Sequence, residues 1–418
     1  MLNVNKIIPL MLLFFFICGT FVTAFNPVSA SESVENSWNT KTPMDINNVS
    51  FFNDLDTAVV NGKIYAMGGY RYNEGGGING CYDPATDKWT ILKTHPNPNE
   101  AVALVAFQDK IYCMNSIIPS EIEIYDIATD KWSTTSAILE TTLYISKAYT
   151  MEEKIFILTS PLLLLQNPYT DQWYNRCIIH LYVFDPVTER CIELAGIPFP
   201  MYHQDYVSVL VDDKIMVFGS FFTGTTLTVE NKEREYKIFV YNLKTDEWSE
   251  IKSDVPDGIG FSLAGATTGR YAPQKVYFFR SEDTGFSTCT YVYDPVANSW
   301  STTAEPMPSF GGGYSVAVVD DIFYVVGEEQ RYYNSGSYNS VYLNLQYVPM
   351  GYTGVVPAPE TSNAPEQPNP SKSPNLTGTS FLTYLIVPIS ALTVGIVVII
   401  SVFFYLRARK STKSVEYG

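Results

Sequence analysis

Short apolar runs, each set off by a polar pair that reads as a tight turn, recur along most of the chain. Asn61-Gly62 precedes Lys63-Ile64-Tyr65-Ala66-Met67-Gly68-Gly69, and Gln108-Asp109 precedes Lys110-Ile111-Tyr112-Cys113-Met114. Glu152-Glu153 precedes Lys154-Ile155-Phe156-Ile157-Leu158, and Asp212-Asp213 precedes Lys214-Ile215-Met216-Val217-Phe218-Gly219. Pro273-Gln274 stands before Lys275-Val276-Tyr277-Phe278-Phe279, and Asp320-Asp321 before Ile322-Phe323-Tyr324-Val325-Val326-Gly327. From Lys63 through Lys110, Lys154, Lys214 and Lys275 to Asp321 the steps are 47, 44, 60, 61 and 46 residues, the size of a propeller blade. β-rich runs such as Thr57-Ala58-Val59-Val60 come before the polar pairs, so each pair predicts a two-residue hairpin loop, for which Asn-Gly is the strongest signal. A calcium site is the sharper reading of Asp212-Asp213 or Asp320-Asp321, but it lacks further spaced oxygens, and these pairs read as turns.

A second unit follows the first five of these hairpins. It reads Tyr82-Asp83-Pro84-Ala85-Thr86-Asp87-Lys88-Trp89, then Tyr125-Asp126-Ile127-Ala128-Thr129-Asp130-Lys131-Trp132. It returns as Tyr241-Asn242-Leu243-Lys244-Thr245-Asp246-Glu247-Trp248 and Tyr293-Asp294-Pro295-Val296-Ala297-Asn298-Ser299-Trp300. The third repeat keeps Phe184-Asp185-Pro186-Val187-Thr188-Glu189 but has Cys191 near the tryptophan position. Two strands flanking an Asp-Pro-type turn, with an aromatic on each side, complete four strands per repeat. The pairing resembles the kelch repeat, whose blades carry Gly-Gly after the second strand and Tyr then Trp across the third and fourth. The resemblance covers residues 36–348. Gly68-Gly69 keeps the full di-glycine, Gly219 and Gly327 are single, and the second, third and fifth repeats have lost it. What the resemblance implies is an all-β, six-bladed propeller. The last repeat ends with Ser340-Val341-Tyr342-Leu343-Asn344-Leu345 and no following Trp strand, while Asn36-Ser37-Trp38 stands alone before the first and matches Asn298-Ser299-Trp300. The N-terminal segment is therefore expected to supply the outer strand of the sixth blade, as in kelch propellers, protecting sheet edges.

The ends read differently. Lys6, the uncharged run 7–24 and Val28-Ser29-Ala30 form a secretory leader over residues 1–30, cut near Ala30, with the propeller over 31–348. Residues 349–380 are rich in Pro, Ser, Thr and Asn and read as an extended stalk. Residues 381–406 carry no charge across 26 positions, which at a helical rise is about 39 Å, enough to span a bilayer. Arg407, Arg409, Lys410 and Lys413 follow, which places the tail 407–418 in the cytoplasm and the propeller outside it. Asn48-Val49-Ser50 and Asn375-Leu376-Thr377 make Asn48 and Asn375 candidate glycosylation sites.

Composition narrows the function. Hydrophobic residues make up 46% and charged residues 17% of the 418, enough for a core and wrong for a disordered chain. A net charge of −16 repels phosphates, so nucleic acid is excluded as an expected partner. Once the leader is removed, Cys81, Cys113, Cys177, Cys191 and Cys289 remain, an odd number with no evident disulfide framework.

Loops joining the second and third strands share a face with the linkers entering each blade, and there the sequence is most irregular: 70–79, 161–176, 221–236 and 330–338. Ring closure would bring Tyr70-Arg71-Tyr72 beside Arg331-Tyr332-Tyr333. Arg flanked by Tyr suits sugars, carboxylates or a protein partner; in a chain with 30 tyrosines the plainer reading is ordinary loop surface. Glu74-Gly75-Gly76-Gly77 leads into a strand rather than a helix, so it is no phosphate cradle. His95 and His203 fall in linkers entering the second and fourth blades and His180 on a strand. The two linker histidines lie two blades apart, which suits a copper radical oxidase poorly. No G-x-S-x-G, H-E-x-x-H or P-loop is present. The expectation is a cell-surface recognition module for an extracellular protein or glycan, with no cofactor and no metal. The enzymatic alternative is a mutarotase-like, carbohydrate-active propeller using Glu100 or Asp205 as channel-mouth acids.

Overall fold

The computed structural model describes residues 35–45, 55–68, 77–96, 102–115, 120–139, 145–160, 163–166, 173–199, 201–222, 234–280, 289–308, 314–332 and 338–357. The leader, Asn48, Glu100, Asn375, the segment 381–406 and the basic tail lie outside the described residues. The chain divides into two units, and every described residue belongs to the first, Met1–Thr361. Among the described residues no helix is long and apolar enough to cross a membrane.

Six antiparallel sheets follow one another along the chain. The first strand, β1 (Ser37–Thr40), belongs to the last sheet. Blade one is β2 (Asp56–Val60), β3 (Lys63–Gly68), β4 (Ile78–Asp83) and β5 (Lys88–Ile91). Blade two is β6 (Val102–Phe107), β7 (Lys110–Asn115), β8 (Ser120–Asp126) and β9 (Lys131–Leu139). Blade three is β10 (Ile145–Met151) and β11 (Lys154–Thr159), then, after the hairpin β12 (Leu163–Gln166) and β13 (Trp173–Cys177), β14 (His180–Asp185) and β15 (Arg190–Leu194). Blade four is β16 (Met201–Val211), β17 (Lys214–Phe222), β18 (Arg234–Asn242) and β19 (Glu247–Ile251). Blade five is β20 (Leu263–Ala266), β21 (Val276–Phe279), β22 (Thr290–Asp294) and β23 (Ser299–Ala304). β24 (Tyr314–Val319), β25 (Ile322–Tyr332) and β26 (Tyr338–Val348) make blade six, and β1 pairs with β26 to complete it, Trp38 opposite Tyr347. The expected closure by the N-terminal strand is therefore present.

The core lies in the seams between blades. One apolar cluster joins Ala58, Tyr65 and Met67 of blade one to Leu104, Ile111 and Tyr125 of blade two, and similar clusters fill the later seams. Ile64 and Tyr82 pack with Ala317, Ile322 and Tyr324 to join blade six to blade one.

The Tyr-to-Trp unit fastens these seams by one repeated set of bonds. Tyr82, Tyr125 and Tyr241 donate their hydroxyls to Asp87, Asp130 and Asp246 at 2.6, 2.7 and 2.9 Å. The same carboxylates accept the backbone N–H of Thr42, Lys93 and Ala195, residues of the linker entering the blade. Trp89, Trp132 and Trp248 donate Nε1–H to the carbonyls of those same three linker residues. Asp87, Asp130 and Asp246 hold φ of 52°, 52° and 51°, a left-handed conformation that Asp and Asn tolerate better than most side chains. In blade five Asn298 takes the Asp position, accepts from Tyr293 and donates to Lys252 O. Blade six rebuilds the set from both chain ends. Asn36 Oδ1 accepts from Tyr347 Oη and from Glu305 N, each at 2.8 Å, and Trp38 donates to Glu305 O. Burial followed by the Asp hydrogen bond raises the Tyr82, Tyr125 and Tyr241 hydroxyls well above the usual phenol range, so they stay protonated donors.

Two local expectations are corrected. The two-residue hairpins are present at five positions, with Val60 opposite Lys63, Phe107 opposite Lys110, Met151 opposite Lys154, Val211 opposite Lys214 and Val319 opposite Ile322. Blade five departs: Ala266 pairs with Val276, so residues 267–275 form a longer loop rather than a Pro273-Gln274 turn. Proline's ring fixes a negative φ, unsuited to such a turn. The loop wraps instead onto Asp321, which accepts from Thr268 N, Thr268 Oγ1, Tyr271 N and Ala272 N at 2.5–3.0 Å. Burial acts to raise the Asp321 carboxyl, but these bonds outweigh it and hold the group below its ordinary range. Second, the segment 161–176 is not a plain loop. It forms β12–β13, and β13 adds to blade four through Arg176 opposite Tyr202 and Cys177 opposite Met201.

Candidate functional site

In each blade the first strand starts, and the second ends, on the face where the linkers enter. This linker face gathers the irregular segments. Blades one and six are neighbours across the closed ring, since Thr57 Oγ1 lies 2.8 Å from Ser315 Oγ and the Tyr82 and Tyr324 rings stand 5.9 Å apart. Gly68, two residues before Tyr70, ends β3, and Gly327 occupies the matching place in blade six, so the chain leaves both blades toward this face. From Gly327 the ladder continues through Arg331 opposite Asn339 and Tyr332 opposite Tyr338, a long hairpin. Tyr70, Arg71, Tyr72 and Tyr333 lie outside the described residues. For Arg331 and Tyr332 the described feature is their place in this ladder.

A polar hub sits among the inner strands at the same face. Asp56, Lys147 and Ser315 occupy the same register position in blades one, three and six, opposite Met67, Leu158 and Val326. Asp56 Oδ1 accepts from Lys147 Nζ at 2.6 Å, Ser315 Oγ at 2.8 Å and Thr57 N at 2.8 Å, and Oδ2 accepts from Leu104 N at 2.9 Å. A carboxylate with four donors is a tie between inner strands of four blades. Lys147 keeps 30% of its side chain exposed and is the cation the hub presents. Nearby, Tyr149 Oη lies 2.9 Å from Ser208 Oγ, linking blade three to blade four.

The sequence-predicted acids fare differently. Asp205 is buried at 1% exposure and accepts from Ser220 Oγ. The turn 258–262 covers it so closely that a Cβ on Gly260 would overlap the Asp205 carbonyl, so Asp205 is not an open channel-mouth acid. Glu100 is not among the described residues. His203 falls within strand β16 rather than in a linker. His180 begins β14 and its Nδ1 lies 2.7 Å from Glu193 Oε1 on the neighbouring strand. His95 is deeply buried, its Nε2 2.6 Å from Glu123 Oε2 and 3.5 Å from Cys113 Sγ. Burial first, then the charges of Glu123 and Asp56, push the Cys113 thiol well above its ordinary value, so it is no exposed nucleophile. The hub and the His95 group escape sequence reading because their members are far apart in the chain. Aligning the blades by strand register is the signal that finds them.

Comparison with known proteins agrees with the architecture. Residues 55–96 match the family model described as Kelch motif. The chain is 23% identical over 265 residues to the Kelch-like protein terF of Aspergillus terreus, covering 59% of this chain and 54% of that protein. It therefore spans about half the length of that curated relative. The solved structure titled Structure of YjhT superimposes with a TM-score of 0.51 at 14% identity, covering 74% of this chain and 97% of that one, a likeness of fold. The motif match over residues 55–96 and the kelch-like relative show that this chain is similar to kelch-repeat proteins.

Proposed function

We propose that this chain is a recognition module displayed outside the cell, tethered by the segment 381–406, which binds an extracellular protein or glycan through the linker face. The kelch-type propeller favours a binding role, because a rigid ring holds irregular segments in fixed relation. The observation that carries the choice of face is the adjacency of blades one and six, which starts the segments bearing Arg71 and Arg331 from neighbouring strands. Lys147 adds a cation among the inner strands. The leader-like N-terminal run and the basic residues after 406 support this topology.

Full-length protein in detergent, screened on a glycan array and by crosslinking to intact cells, tests the reading. Arg71→Ala with Arg331→Ala is expected to weaken the detected interaction by about tenfold or more. Binding that survives the double variant unchanged contradicts the choice of face. A reporter fused to the C-terminus and found outside the cell contradicts the topology.

A further inference from the structure

The blades are built on one register, so one position can be compared around the ring. Three positions meet at each seam: the residue two beyond the linker residue whose backbone the lock engages, the strand-two residue opposite a strand-three residue, and that strand-three residue itself. In blade one these are Met44, Ala66 and Gly80, with the Met44 side chain filling the space beside Gly80. In blade four they are Ile197, Val217 and Phe239, and in blade six Met307, Val325 and Leu345. Blade five has Phe278 opposite Tyr291, while its linker position falls on Asp254, which is exposed. Every buried member of these sets is apolar or aromatic. Blade two instead holds His95, Cys113 and Glu123, buried to 2%, 0% and 1% exposure, with Cys113 directly opposite Glu123 in the β7–β8 ladder.

Three donor atoms thus replace a plug of core side chains. Burying a carboxylate and an imidazole where sister blades use apolar groups costs free energy that the hydrogen bond between them offsets only in part. The three donors lie within 4.8 Å of one another. We propose that His95 Nε2, Cys113 Sγ and Glu123 Oε2 form a binding site for a borderline divalent transition ion, zinc being the best fit. Nitrogen, thiolate and carboxylate together match zinc rather than calcium or magnesium, which take all-oxygen shells. Bond lengths of about 2.0–2.3 Å to a tetrahedral ion require donors roughly 3.2–3.7 Å apart. The His95–Cys113 distance of 3.5 Å already meets this. The His95–Glu123 distance of 2.6 Å must widen, by about 0.6 Å on those bond lengths. On loading, the thiol proton and the proton held between His95 and Glu123 leave as one divalent ion enters, so the buried charge is unchanged.

The surroundings hold the imidazole in place. The Trp132 ring stands edge-on to His95 at 4.5 Å, Trp132 Nε1 donates to Lys93 O two residues before it, and the His95 backbone bridges to Gly77. Blade two thus uses its seam lock to orient a ligand, as outer-shell groups do in metal sites.

Elemental analysis of full-length protein purified in detergent without chelators, then dialysed against micromolar zinc, tests the proposal. About one zinc per chain is expected. His95→Met with Cys113→Ala and Glu123→Gly installs the blade-one set, which this chain already packs, and should keep the circular dichroism spectrum while zinc falls to under about a tenth per chain. Cobalt loading gives a second readout, a thiolate-to-cobalt absorption band expected in the parent and in Cys81→Ser but absent in Cys113→Ser. A parent that stays zinc-free after dialysis overturns the site. So does zinc bound equally by the triple variant, or a cobalt band that persists in Cys113→Ser.

Discussion

Blade six and blade three form a contrast. Blade six is assembled from the two ends of the chain and keeps every bond of the repeated lock: Asn36 to Tyr347, Thr303 and Glu305, and Trp38 to Glu305. Blade three is continuous in sequence, yet Phe184 lacks the tyrosine hydroxyl and Cys191 lacks the indole N–H. Its seam with blade two is apolar, built from Phe107, Tyr112, Ile145, Ile155 and Phe184, and burial there pushes the Cys191 thiol up to about 11. Glu189 retains the left-handed φ of 54° found at the matching turn position of the other blades. Blades one, two and four are as continuous as blade three and keep the lock, so its reduction in blade three follows from Phe184 and Cys191 and not from continuity. Where the sheet is shared between distant segments, each closing bond also opposes the entropy of freeing a terminus.

The sharpest way to break this contrast is Trp38→Ala. It removes the ring packed 5.0 Å from both Phe279 and Tyr347 together with the bond to Glu305. A loss of about 3–4 kcal/mol is expected in chemical denaturation. Asp87→Ala comes next. It strips acceptors from Tyr82 Oη and Thr42 N and leaves Lys41, itself buried, without its carboxylate; about 2–3 kcal/mol should follow.

Asp321→Asn is expected to cost about 1–2 kcal/mol near neutral pH, because an amide N–H would face two of the backbone donors now bound by the carboxylate. The folded Asp321 carboxyl lies below its unfolded value. Its contribution is therefore fully present above about pH 4 and lost as pH falls through the lowered folded value. The difference between parent and variant in denaturant midpoint should shrink on acidification. A difference that grows as pH falls would remove Asp321 as the clasp between blades five and six. The smallest effect belongs to blade three: Glu189→Ala should change stability by no more than about 0.5 kcal/mol. A loss there matching that of Asp87→Ala would erase the contrast.

The repeating parts of the fold were legible because local chemistry dictates them. Asn61-Gly62 and Asp320-Asp321 adopt positive φ at both turn residues, and the five-residue step from Tyr82 to Asp87 and seven to Trp89 fixes a hairpin and a lock within one short window. Asn36-Trp38 was legible because it lacks the tyrosine that precedes it in other repeats, which Tyr347 supplies. Contacts made between blades were hidden. Nothing near Pro161 says that β13 will pair with Met201, and Asp321 resembles every other turn acid until the loop 267–275 is folded against it. Of the candidate site, the adjacency of blades one and six was readable from ring closure. The Asp56–Lys147 hub and the His95 group join residues 91 and 28 positions apart, which periodicity cannot connect.

The central claim is that residues 36–41 are structurally part of the sixth sheet. Amide hydrogen exchange of peptides covering 36–41 and 342–348 tests it most directly. The ladder of Ser37 to Thr40 on Val348 to Leu345, with Lys41 N bonded to Asn344 O, predicts strong protection of both segments and joint loss of that protection in Trp38→Ala. Immediate exchange of 36–41 while 342–348 stays protected would contradict it.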